Sequence, residues 1–105
     1  MVNEILDLLG LPYRETLFRK PPKTSYVVFS DAFESRGADD RNFIREHDIM
    51  IELYSYTPDP ENEKKIEKIM DDLGIAFEKQ TRYWIETEQL YQVIYEFNYS
   101  EKGGN

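Results

Sequence analysis

Cysteine is absent from this chain of 105 residues, so disulfides and thiolate metal sites are excluded. Histidine occurs once, as His47. No apolar run approaches the ~20 residues that span a bilayer. Segment 2–11 is broken by Asn3, Glu4 and Asp7, so neither a membrane span nor a secretory leader is expected. A phosphate loop, a nucleophile elbow, HExxH and GxGxxG are all missing. Basic charge is in deficit, with 13 Lys and Arg against 21 Asp and Glu and a net charge of -8. Phosphate backbones reward the opposite balance, so duplex nucleic acid is a poor partner. The class expected is a soluble, acidic, intracellular single domain.

What is present is a pattern of strands and short helices. Ile5, Leu8 and Leu9 fall at helical spacing before Gly10, which suits a C-terminal cap, and Pro12. Residues 13–19 alternate imperfectly and read as a strand ended by Pro21 and Pro22; residues 25–30 are a second strand. Residues 31–42 mix Gly37 with charged side chains and read as a long, mobile polar connection. Residues 42–56 alternate over a long strand, with Ile49, Ile51 and Leu53 on the core face. Asp59 and Pro60 open a helix whose Ile66, Ile69, Met70 and Leu73 form the buried stripe and which Gly74 closes. Residues 77–86 and 90–99 read as an antiparallel hairpin. The expectation is α+β: a single domain over 1–99, a mixed, mostly antiparallel sheet with helices packed on one face, and a flexible tail at 100–105.

Few residues suggest chemistry. His47 lies between Glu46 and Asp48 on the face of Arg45 and Ile49, with no nucleophile or orienting group placed by spacing. A structural or solvated histidine is expected. The acidic pairs Asp39-Asp40 and Asp71-Asp72 lack the alternation and central glycine of a calcium loop, and helix capping already accounts for Asp59. No catalytic residue, cofactor or metal is therefore expected. Arg14, Arg19, Lys20 and Lys23 interleave with Tyr13, Phe18 and Tyr26, a small basic cluster suited to an acidic protein surface or, less well, to single-stranded nucleic acid. Tyr54, Tyr56, Tyr83, Trp84, Tyr91, Tyr95, Phe97 and Tyr99 are mostly strand packing, but some are interface anchors. The contact surface expected on these grounds is Phe33, Glu34, Arg36, Asp39, Asp40 and Arg41 of the polar connection, with Tyr54 and Trp84.

Leu11-Pro12-Tyr13, Lys20-Pro21-Pro22, 25–29, 51–54 with the acidic helix after it, and 92–97 together resemble the tail-completion proteins of siphophages and prophages. These are also called tail terminators or head–tail joining proteins. The resemblance runs from about Leu11 to Tyr99 and rests on strand patterns. It implies an α+β protein, monomeric or weakly associated when free, that forms a hexameric ring at the head-proximal end of a long tail. The implied partners are itself, the tail tube and the head connector, without membrane or specific nucleic-acid binding. The implied location is the host cytoplasm during assembly and then the virion. Another neck or minor tail component, or a small cytosolic adaptor or inhibitor, are the alternatives.

Overall fold

The structure, a computed structural model, describes residues 1–37 and 43–103, with side chains at 1–35 and 44–101. Its elements are α1 (Val2–Leu9), β1 (Tyr13–Glu15), β2 (Tyr26–Gly37), β3 (Phe43–Ser55), α2 (Pro60–Asp72), β4 (Glu78–Lys79), β5 (Tyr83–Ile85) and β6 (Leu90–Gly103). One sheet runs in the order β1-β2-β3-β6-β4, with β5 also on β6. Only β1–β2 is parallel; β3 pairs antiparallel with β2, and β6 antiparallel with β3, β4 and β5. The fold is α+β, with the sheet mixed and mostly antiparallel.

Both helices pack on one sheet face. Val27 and Phe29, then Ile49, Ile51 and Leu53, then Val93, Tyr95 and Phe97 form a single core with Val2, Ile5, Leu6 and Leu9 of α1 and Ile66 and Met70 of α2. Period-two alternation sends every second residue of a strand to that face. The α1 stripe differs from the expected one: Leu6 is buried, whereas Leu8 is 61% exposed. Gly10 adopts a φ of 81° and its N–H bonds Leu6 O, so the cap is an αL turn. In α2, Asp59 caps through Asn62 N, and the Ser25 hydroxyl donates to the same carboxylate at 2.6 Å. Burial works against ionisation of Asp59, but hydrogen bonds from the Asn62 and Ser25 side chains and the Asn62 backbone win and hold it below the usual carboxylate range.

The α2 stripe is also shorter than the spacing implies. Leu73, the Ccap residue, is 50% exposed, and Ile69 is only partly buried. Glu63 takes a buried place instead. Its carboxylate receives Arg82 at 2.6 Å and Lys79 at 2.9 Å. Lys79 also reaches Glu67, to which the Tyr95 hydroxyl donates at 2.7 Å. This network ties α2 to β6 and to the segment carrying β4. It also explains why the strand expected over 77–86 appears as two short pieces: Lys79 and Arg82 are drawn to the helix.

Three further expectations are corrected. The first strand stops at Glu15, since Thr16 has a φ of 72° and turns the chain. Residues 31–37, expected as mobile connection, continue β2 and pair with β3 from Asp31↔Ile49 to Gly37↔Phe43. Residues 100–103, expected as tail, continue β6 and pair with β3 from Glu46↔Ser100 to Phe43↔Gly103. In both segments the polar composition hid strands whose backbone partners come from β3.

Leu53 is 1% exposed inside the core, so Leu53→Ala is expected to lose about 2–5 kcal/mol in urea melts. Leu73→Ala, at the half-exposed helix end, is expected to stay within about 0.5 kcal/mol. Equal losses at the two positions would show that the α2 face has been misplaced.

Candidate functional site

The sheet has a body and a blade. In the body the helices cover one face. On the other, Tyr26, Val28 and Leu90 pack with Phe18 and Tyr54. Beyond Phe29, Ile49 and Phe97 the strands β2, β3 and β6 continue alone. There His47 is the only buried side chain among the described residues. The last β1 pairing is Glu15↔Phe29 and the β4 pairing nearest the blade is Glu78↔Glu96. Among the described residues, 30–37 of β2 and 97–103 of β6 therefore have β3 on one side and no strand on the other. Each presents a row of open backbone donors and acceptors.

A ladder of side chains crosses the helix-side face of the blade. Register places Phe33, His47 and Tyr99 at one level. The His47 ring stacks between Phe33, centroids 5.2 Å apart, and Tyr99, 4.5 Å apart. Its Nδ1 is 2.8 Å from Asp31 Oδ1 and its Nε2 is 3.4 Å from Glu101 Oε1. A carboxylate only accepts, so both nitrogens donate when both contacts are made, and the ring is then an imidazolium. The Asp31 hydrogen bond raises the His47 pKa above its ordinary value; burial pulls the other way, and Glu101 adds to the rise. Arg45, one level further out, approaches Glu101 at 4.0 Å and lies over the Phe33 ring. One imidazole thus fastens β2, β3 and β6 where no helix supports them.

The opposite blade face is shallow and acidic, lined by Ala32, Glu34, Glu46, Asp48, Asn98 and Ser100. Among the described residues no group of three His, Cys, Asp or Glu is placed to hold a metal ion. No helix there is long and apolar enough to cross a membrane.

The residues expected at the contact surface are dispersed. Phe33 is 57% exposed on the outer edge of the blade, and Glu34 is exposed on the other face. Arg36 is in the β2 ladder, but its side chain lies outside those described; Asp39, Asp40 and Arg41 lie outside the described residues altogether. Tyr54 belongs to the body, half-buried on Tyr26 with centroids 5.2 Å apart and held by Gln92. Trp84 is on the other face, since it pairs with Tyr91, which pairs with Ser55, the neighbour of Tyr54. It packs on Tyr91, and its indole N–H donates to Glu86. Tyr54 and Trp84 therefore do not form one surface.

The basic cluster is a strap over the body. Arg14 lies over Phe18, which packs on Tyr26, and Tyr56 donates to Pro22 O at 2.8 Å. Burial there, then the neighbouring Tyr56, Tyr54 and Glu88, push the Tyr26 hydroxyl up to about 12.

Sequence reasoning missed Asp31, Tyr99 and Glu101 as partners of His47. The available signal was the alternation Asp31, Phe33, Ser35, which keeps strand period through a polar stretch. No protein-family model matches the chain, and no curated protein matches it.

Because the folded pKa of His47 is raised, its stabilising contribution is full below the unfolded value of about 6.5 and fades as pH rises through the folded value. His47→Gln is therefore expected to lower the urea midpoint more at about pH 6 than at about pH 9. A loss of the same size at both would mean that stacking alone holds the ring.

Proposed function

We propose that this protein is a non-catalytic assembly module that acts through the blade, in the role that the tail-completion resemblance implies. It joins copies of itself into a ring, and the ring then meets a tail tube on one side and a head connector on the other. The observation that carries this reading is the pair of open strand edges at 30–37 and 97–103, one on each side of the blade. Two different edges on one subunit suit heterologous, head-to-tail contacts, which close into rings when the rotation per step is right. A net charge of -8 suits a ring through which DNA passes without being gripped. On this reading the protein works in the host cytoplasm and ends in the virion.

Particles assembled without this protein test the proposal by negative-stain microscopy. Overlong, unjoined tails are expected for a terminator and normal tails without heads for a joining protein; intact infectious particles would overturn the reading. Purified protein is also expected not to shift duplex DNA in a gel at about 150 mM salt. Retention there would turn attention to the strap carrying Arg14, Arg19, Lys20 and Lys23.

A further inference from the structure

The open edges have a polarity. Strand β3 is antiparallel to β2 and to β6, so β2 and β6 run in the same direction. A second copy added by rotation, without inversion, brings its β6 edge against the β2 edge of the first as a parallel pair. Two-fold contacts would pair β2 with β2, or β6 with β6, as antiparallel strands. Each such contact leaves the other edge of both copies bare. Only head-to-tail pairing uses both edges of every copy by one kind of contact.

The side chains are placed for that junction. The row Phe33, His47, Tyr99 crosses the blade with centroid spacings of 5.2 and 4.5 Å. Neighbouring strands lie about 4.8 Å apart, so the next strand continues such a row without a gap. The row ends at Phe33, an apolar ring 57% exposed on the edge strand, and at Tyr99 on the opposite edge. The pairing levels within one copy are 31↔49↔97 through 35↔45↔101. Carried across the junction unshifted, they set Ala32 beside Asn98 of the partner subunit. Glu34 falls beside Ser100 of the partner subunit, and Ser35 beside Glu101 of the partner subunit. Between levels 31 and 35 no two like charges meet, and Glu34 and the partner's Glu101 each gain a hydroxyl donor, whereas one level further out Arg36 falls beside Lys102 of the partner subunit. The carboxylates of Glu46 and Asp48 stay on β3, in the middle of the blade, away from the contact.

Resting on the assembly reading above, we infer that copies of this chain join by parallel pairing of the β2 edge of one with the β6 edge of the next. In that junction Phe33 stacks on Tyr99 of the partner subunit. The occupant of each edge is thus a second copy of this chain. The junction is short, so one contact alone is weak; closure gives every copy two contacts at once and stabilises the ring by effective concentration. A net charge of -8 adds repulsion between free copies that salt screens.

The chain has no cysteine, so introduced thiols are the only ones present. Phe33→Cys and Tyr99→Cys proteins, one of them isotopically heavy, are mixed and oxidised, as free protein at the highest soluble concentration and in assembled particles. The expected product, read by mass, is the mixed disulfide between positions 33 and 99. Each variant alone stays largely uncross-linked, and the double variant gives a ladder of oligomers. Because Tyr99 packs against the core, Ala32→Cys with Asn98→Cys repeats the test on the other face at exposed positions. Homodisulfides as the main product, or no cross-link with either pair in both settings, overturn the inference. Particles that need this protein but give the wrong pair reject this junction alone. Particles that are complete without it reject the assembly reading itself.

Discussion

A mismatch in length governs this structure. Strand β3 has 13 residues and α2 has 13, but a strand rises about 3.3 Å per residue, giving about 43 Å, and a helix 1.5 Å, giving about 20 Å. The 8 residues of α1 add only about 12 Å. Helices of this size cannot cover a sheet that β3 makes this long. The sheet therefore divides into a covered body and a bare blade, and the molecule reaches 49 Å in its longest direction.

The two regions are held by different physics. In the body, burial of apolar side chains on one face dominates, and the strap closes part of the other. The charged network of Glu63, Glu67, Lys79, Arg82 and Tyr95 fixes how α2 sits on the sheet edge. Burial opposes ionisation of Glu67, yet hydrogen bonds from Lys79 and Tyr95 keep its carboxyl below the ordinary range. Among the described residues of the blade there is no apolar layer. Backbone ladders and the His47 clamp take over, with Phe33, Tyr99, Asp31 and Glu101 gathered around one ring. An element of that kind is ordered enough to present an edge and bare enough to accept one. That combination is what connects the fold to the proposed assembly role.

The sequence by itself determined the strand and helix identities wherever apolar residues kept a clear period. Ile49, Ile51 and Leu53 were legible as a core face, and Asp59 and Pro60 as a helix start. Apolar burial acts on each of these locally, through spacing alone. The sequence did not reveal that 31–37 and 100–103 are strands, because their polar side chains carry no burial signal. Their conformation comes from pairing with β3, 6 to 18 residues away for 31–37 and 54 to 60 for 100–103. Nor did it place Leu73 outside the core or Glu63 inside it, where Lys79 and Arg82 meet its carboxylate. The candidate site followed the same division. Of the residues expected at a contact surface, Phe33 and Glu34 lie on the blade, whereas strand register puts Tyr54 and Trp84 on opposite faces of the body. The meeting of His47 with Asp31 and Glu101, from three different strands, was decided by tertiary structure alone, because only long-range register brings separated polar residues to one level.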